Sequence, residues 1–213
     1  MGVKTVELVL PYVPFARQDR PMVSGEPLSV KVFATLLNAQ RFERVTVYDP
    51  HSDVSTALID NCYVVNNHDF VRWVVAQRYP DDESFFLASP DAGAYKKVYG
   101  VHEAIGGTGT LLMCNKHRDV ATGKLSGVSV DATDLYQRDV LIVDDICDGG
   151  GTFILLAKEL KKRNAGRVVL VVSHGIFSQG FESLREHIDA VYTTDSVKDV
   201  NDPFVIQYKL HFT

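Results

Sequence analysis

An apolar run that ends in carboxylates and then in glycines is the most constraining feature of this sequence. Val140–Val143 is followed by Asp144 and Asp145, and the segment Gly149-Gly150-Gly151-Thr152 comes three residues later. This order predicts a buried strand, a tight glycine turn and a helix that starts at Thr152. Ligands of open α/β sheets bind outside the carboxyl ends of the strands, so we expect the two carboxylates to lie at a binding site.

Short β-branched runs alternate with segments of helical period along the whole chain. This alternation predicts an α/β fold with mostly parallel sheets. The charged turn Asp81-Asp82-Glu83 predicts a boundary between a domain at residues 1–80 and one at 81–202, with the C-terminal strand 203–213 as a candidate to complete the first. A mobile loop or hairpin is expected at residues 115–127. Strands are predicted at Val6–Leu10, Val45–Tyr48, Ser84–Ala88, Val140–Val143, Val168–Val172, Ala190–Thr193 and Val205–His211, and helices at Leu28–Gln40, Asp69–Tyr79, Ala94–Ile105, Thr152–Asn164 and Phe181–His187.

Charge and composition exclude several classes of partner. The net charge of −5 argues against a general nucleic-acid or anionic-membrane surface, and no segment approaches the length of a membrane span. The three cysteines show no metal-finger spacing, which is typical of reduced thiols. We therefore expect a cytoplasmic protein that binds neither nucleic acid nor membrane.

The glycine turn has a chemical interpretation. Its backbone N–H groups, at the start of a helix, can converge on a phosphate, and the hydroxyl of Thr152 can cap the helix or contact that phosphate. Asp144 and Asp145 can accept hydrogen bonds from sugar hydroxyls or help to hold Mg²⁺. The alternative is an acidic loop with a glycine-rich helix cap that binds nothing.

Four further segments carry charged groups that suit a polyphosphate. The loop PYVPFARQDR places Arg17 and Arg20 around Gln18 and Asp19, and guanidinium groups bind phosphate oxygens at two points. His51 follows the second predicted strand, Asp91 lies in the segment SPDAGA, and Lys116 and Arg118 lie in the expected loop. Taken singly, each is as well explained by a solvated ion pair, a structural histidine or a basic turn.

Taken together and in order, these segments resemble the ribose-phosphate pyrophosphokinase (PRPP synthetase) family. The glycine turn is similar to the family's strand-DD-xx-D-T-G/C-G-T run, and the other segments to its PYxxYARQDR, D-x-H-x-x-Q, SPDAGG and K-x-R patterns. Gly149 departs from the pattern, which usually has threonine there, and Ala94 replaces a glycine. The resemblance implies two similar phosphoribosyltransferase-like domains with central, mostly parallel sheets. The first is expected to be reduced, because the family's usual N-terminal stretch is absent ahead of Pro11.

The resemblance also assigns roles to residues. Lys116 and Arg118 are the expected catalytic residues, and His51 and Asp91 the expected ligands of the Mg²⁺ cofactor. The ATP-binding residues would be Arg17, Gln18, Asp19, Arg20 and His51. The ribose 5-phosphate site would comprise Asp144, Asp145, Asp148, Gly149, Gly150, Gly151 and Thr152.

The implied reaction is transfer of the diphosphoryl group of ATP to ribose 5-phosphate, which gives PRPP and AMP, in a protein that forms homo-oligomers. Two alternatives remain open. The chain could be a non-catalytic binding or regulatory protein associated with a PRPP synthetase, or a phosphoribosyltransferase that consumes PRPP with a base. The second alternative explains the glycine turn but leaves the RQDR and K-x-R segments without a purpose.

Overall fold

The computed structural model of the protein describes residues 4–80, 84–118 and 125–212, and of residues 117, 118, 125 and 126 it describes the backbone alone. The charged turn predicted at residues 81–83 lies outside this part of the chain. The described strands are β1 Glu7–Leu10, β2 Arg44–Tyr48, β3 Cys62–Val65, β4 Phe85–Ser89, β5 Thr110–Arg118, β6 Leu125–Val130, β7 Asp139–Cys147, β8 Val168–Gly175, β9 Ala190–Thr194 and β10 Val205–Tyr208. The described helices are α1 Ser29–Asn38, α2 Asp53–Leu58, α3 His68–Arg78, α4 Ala92–Ala104, α5 Gly151–Lys162 and α6 Glu182–Arg185.

The chain divides into two compact units, residues 1–67 with 211–213 and residues 68–210. In the first unit β1, β2 and β3 form a parallel three-stranded sheet in that order. Val45 and Val47 of β2 are buried in one cluster with Val30 and Ala34 of α1. This amphipathic helix covers one face of a small sheet, as expected for a βαβ unit.

The second unit contains a seven-stranded sheet in the order β10-β9-β8-β7-β4-β5-β6. Its neighbours are parallel except for β6, which pairs antiparallel with β5. Every residue of β8 is buried, as is typical of a central parallel strand covered on both faces. Alternate residues of β7 enter opposite cores: Val140 and Ile142 pack with the α5 side, whereas Leu141 and Val143 pack with the α3 and α4 side.

The α/β class with mostly parallel sheets, predicted from the sequence, is confirmed. The division between the units differs from the boundary predicted at residue 80. The apolar face of α3 explains the difference, because Phe70, Val71 and Val74 are buried against Leu87 and Leu141 of the second sheet. Helix α3 is therefore part of the second core.

The C-terminal strand also lies elsewhere than predicted. Instead of completing the first sheet, β10 pairs with β9 at the edge of the second. Its side chains explain this placement, since Val205 is buried and Tyr208 packs against the rings of Phe70 and Trp73. Only the residues from 211 onward group with the first unit.

Among the described residues, no helix combines the length and the apolar character needed to cross a membrane.

Candidate functional site: acidic strand ends and a glycine turn

The glycine turn joins the central strand β7 to helix α5. Gly150 adopts a left-handed conformation with φ 76°, and a Cβ atom there would lie 2.9 Å from Cδ2 of Leu184. Both facts require glycine at this position. The backbone N–H groups of Ile176 and Phe177 donate to the carbonyl of Cys147, which holds the start of the turn against the end of β8.

The first turn of α5 is arranged as an anion site. The N–H groups of Phe153 and Ile154 donate to the carbonyl of Gly150, whereas those of Gly151 and Thr152 precede the first hydrogen bond of the helix. Groups at this position favour a negative ligand, because they lie at the positive end of the helix dipole. This backbone arrangement is compatible with the predicted phosphate site, which stays a prediction.

Five charged side chains gather at the carboxyl ends of β7, β4 and β5, and we call them the strand-end cluster: Asp91, Lys97, Lys116, Asp144 and Asp145. The sheet order brings them together, because β4 lies between β7 and β5. Asp144 and Asp145 belong to β7 itself, Asp91 follows β4 and caps α4, and Lys116 belongs to β5.

Two ion pairs organise this cluster. Lys116 Nζ lies 2.7 Å from Asp91 Oδ2, and Lys97 Nζ lies 3.6 Å from Asp145 Oδ2. Asp91 Oδ1 also accepts a hydrogen bond of 2.9 Å from the Ala94 N–H at the start of α4. The cluster therefore brings the predicted catalytic lysine next to the predicted metal ligand, beside the carboxylates predicted to bind the sugar.

The two acids at the centre have opposite pKa shifts. Burial raises the pKa of Asp91, but hydrogen bonds from Lys116 and the Ala94 N–H outweigh it, so the pKa lies below its ordinary value. Burial first, and then the neighbouring charge of Asp145, raise the pKa of Asp144 well above its ordinary value, although the charge of Lys116 opposes the shift. The negative charge of Asp144 is thus costly in the folded chain.

The predicted ATP residues lie in the first unit. Asp19 is buried and accepts a hydrogen bond of 2.9 Å from Arg20 Nε. That bond lowers the pKa of Asp19 against the effect of burial, and the charges of Arg20 and His51 lower it further. The loop after β1 thus meets the loop after β2, which brings Asp19, Arg20 and His51 together.

These residues differ in solvent exposure and therefore in what their side chains can contact. The side chains of Arg17, Gln18 and Arg20 are exposed, whereas the carboxylate of Asp19 is enclosed by its neighbours. Asp19 is therefore suited to hold Arg20 in place, and the exposed side chains are suited to meet a ligand.

Of the predicted catalytic pair, only Lys116 has a described side chain, because that of Arg118 at the end of β5 lies outside the described part. The predicted magnesium ligands fall in different units, His51 in the first and Asp91 in the second. Within the described ranges, no group of three or more His, Cys, Asp or Glu side chains could hold a metal ion by itself. Magnesium commonly takes one or two carboxylates and the phosphates of a substrate as ligands, and Asp91 is a carboxylate of this kind.

Lys97 was not predicted from the sequence. It lies on the face of α4 that also bears Gly93 and Ala94, one turn beyond the segment that was recognised. The helical spacing from the Asp91 cap was the available signal, but it does not show which strand the lysine faces.

Comparison with known proteins agrees with this geometry. Residues 69–213 match the model of the phosphoribosyl transferase domain. Because the match covers more than half of the sequence, the chain belongs to the phosphoribosyl transferase domain family.

Within that class, the chain is similar to ribose-phosphate pyrophosphokinases. The one from Mycoplasmopsis pulmonis is 32% identical over 200 residues, which cover 92% of this chain and 60% of that protein. The one from Pyrococcus abyssi is 28% identical, over 97% of this chain and 71% of that protein. The resemblance recognised from the motifs is thereby confirmed, although the chain spans about 60% of the length of several of these relatives.

A solved structure shares the fold. The phosphoribosylpyrophosphate synthetase from Mycobacterium smegmatis superposes with a TM-score of 0.83 at 23% identity, over 98% of this chain and 68% of that one. At this identity the likeness shows the fold alone.

Proposed function

We propose that the chain transfers the diphosphoryl group of ATP to ribose 5-phosphate, giving PRPP and AMP. The observation that carries the proposal is the strand-end cluster: two carboxylates suited to sugar hydroxyls lie beside the Lys116–Asp91 ion pair, next to a turn suited to phosphate. The names of the relatives support the same reaction.

The sugar binds at the second unit. The N–H groups of the Gly149–Thr152 turn hold the 5-phosphate, with Asp148 beside them. Asp144 and Asp145 accept hydrogen bonds from the ribose hydroxyls. Their charge becomes less costly when those donors arrive, because hydrogen bonding to a carboxylate favours its ionised form.

The transfer is a displacement at the β-phosphorus of ATP. The anomeric oxygen of ribose 5-phosphate forms the new bond to this phosphorus, the bond to the oxygen that bridges the α- and β-phosphates breaks, and AMP leaves with that oxygen. The hydroxyl proton passes to solvent. Such transfers depend mostly on positioning and charge, so no strongly basic side chain is needed. Lys116 and Arg118 neutralise the charge on the transferring group.

Arg17, Gln18, Arg20 and His51 bind ATP, and Asp19 holds Arg20 in place. His51 and Asp91 are the residues that would hold Mg²⁺, which would neutralise charge on the ATP phosphates. A cytoplasmic, homo-oligomeric protein completes the proposal. Among the described strands, β1 and β3 form the two edges of the small sheet, where a strand of another copy can pair.

An assay of AMP formation from ATP and ribose 5-phosphate tests the reaction. The unaltered protein should form AMP, and Lys116→Ala should lower kcat about a hundredfold, as removal of one charge-stabilising donor does elsewhere. Arg118→Ala should act in the same direction. The matched control is Lys158→Ala, an exposed lysine of α5, which should leave the rate unchanged.

The same samples separate the alternatives. Binding of both substrates without AMP formation would replace the enzyme with a binding protein. Pyrophosphate release that depends on an added base would replace it with a phosphoribosyltransferase.

A further inference from the structure

The strand-end cluster contains a second lysine, Lys97, in addition to Lys116. Its Nζ atom lies 3.6 Å from Asp145 Oδ2, and the two side chains are 29% and 7% exposed. The Lys97 side chain is therefore partly buried, and its ammonium group faces a buried carboxylate. The neighbouring Lys96 on the same helix is exposed and gives the contrast.

Asp145 needs a fixed partner. It is buried at the end of β7, directly beside Asp144, and a buried carboxylate is stable only when it is paired. Its own backbone N–H donates to Asp144 Oδ1 at 3.0 Å, which holds the Asp144 carboxylate but leaves that of Asp145 to be oriented by other groups. An ammonium group from α4 therefore restricts the directions in which the Asp145 oxygens can point.

The charge balance points the same way. The strand-end cluster contains three acids and two lysines, and the proposed substrate carries a phosphate. Loss of Lys97 would remove the ammonium group that balances the Asp145 carboxylate next to Asp144.

We propose that Lys97 is a positioning residue for ribose 5-phosphate, which fixes the Asp145 carboxylate so that it accepts hydrogen bonds from the sugar hydroxyls. The inference rests on the proposed function for the identity of the sugar. Lys97 acts through Asp145 and not on the phosphate, which the glycine turn holds.

Equilibrium binding of ribose 5-phosphate to the full chain, measured by calorimetry, tests this role without relying on turnover. Lys97→Met keeps the length of the side chain but removes its charge, and it should raise the dissociation constant about tenfold, the effect of losing one good contact to a charged group. Lys97→Arg should restore affinity to within about threefold. The control Lys96→Met should change nothing.

Two further measurements separate positioning from general charge or stability effects. Affinity for inorganic phosphate should change less than about threefold in Lys97→Met, because the hydroxyl contacts are absent from this probe. In an Asp145→Asn background, Lys97→Met should add little, since both changes remove one interaction.

Unchanged ribose 5-phosphate affinity in a folded Lys97→Met protein would overturn the inference, and so would a full additive loss in the Asp145→Asn background. If the unaltered protein binds the sugar phosphate without forming AMP, the proposed reaction is wrong. The binding measurements still test the role of Lys97 in that case. If Lys97→Met does not fold, a tenfold loss in the folded Lys97→Arg protein would contradict the expected rescue.

Discussion

Asp144 is a residue whose ionised form is disfavoured in the folded chain. Burial and the charge of Asp145 raise its pKa in the folded chain above the ordinary value of 3.8. The folded state therefore holds the proton more tightly than the unfolded state does. As the pH rises from about 4 through the raised pKa, this site loses stability, and at neutral pH its charge is a net cost.

Asp144→Asn should accordingly stabilise the protein at pH 7, by roughly 1 kcal/mol, the size of a common stabilising substitution. The gain should shrink as the pH is lowered toward 4. Urea unfolding at several pH values measures it, and calorimetry should show weaker ribose 5-phosphate binding in the same variant. A less stable Asp144→Asn protein at pH 7 would contradict this reading of the site.

Gly149 is the other residue with a specific expectation, since the family pattern usually has threonine there. Its φ is outside the left-handed region, and a Cβ atom would meet Gln179 Cγ at 3.5 Å, an ordinary contact. A side chain would therefore fit at position 149. The lack of a hydroxyl there is not caused by steric crowding.

Gly149→Thr should tighten ribose 5-phosphate binding about three- to tenfold by adding one hydroxyl donor to the phosphate. Gly149→Ala, which fills the same space without the hydroxyl, is the matched control and should bring no gain. Weaker binding by the threonine variant would show that the phosphate does not lie beside residue 149.

At the scale of single residues, the sequence predicted the motif positions better than the side chains that pair with them. Asp144, Asp145, Asp91 and Lys116 were picked out and do lie together. Lys97 was missed, because its pairing with Asp145 arises only when α4 packs beside β7. The role of each residue stays a prediction.

At the scale of elements, the turn between β7 and α5 joins the sheet to the proposed phosphate site. Gly150→Ala would impose a left-handed backbone on alanine and push its Cβ against Leu184, so we expect a loss of about 1–3 kcal/mol in unfolding free energy. Gly151→Ala is the control for stability, since nothing lies within 4 Å of its Cβ position. Equal urea midpoints for the two variants would show that the turn is not constrained as described.

The buried elements were the easier ones to predict. The apolar runs Val140–Val143 and Val168–Val172 lie inside β7 and β8, but both strands extend further. Strand β8 continues into the buried polar residues Ser173 and His174, and His174 Nδ1 lies 2.8 Å from Ser196 Oγ. Helix α2 and strand β3 were not predicted. Both are short, and Tyr63 and Val64 of β3 are exposed, so neither carries a strong apolar period.

Part of the mobile loop or hairpin expected at residues 115–127 lies outside the described residues, at 119–124, and the strands on either side of it pair antiparallel. Strand β5 starts at Thr110 and pairs with β6, with a register shift between His117 and Arg118. The second half of β5 is polar, so the pattern of apolar residues did not indicate a strand there.

At the scale of the whole molecule, the alternation of strands and helices was sufficient to predict the α/β class. It was not sufficient to place α3 and β10, whose apolar side chains pack in the core of the larger sheet. Cores of this kind are decided by long-range packing, which local periodicity does not encode.

The central claim is that this molecule moves a diphosphoryl group. The most direct test is ³¹P NMR of the full chain with ATP, ribose 5-phosphate and Mg²⁺, with Lys116→Ala alongside. We predict that AMP and the diphosphoryl ester of the sugar appear in equal amounts, and that the variant forms them about a hundredfold more slowly. ADP with a singly phosphorylated new product, or no change in the spectrum of a folded sample that binds both substrates, would contradict the claim.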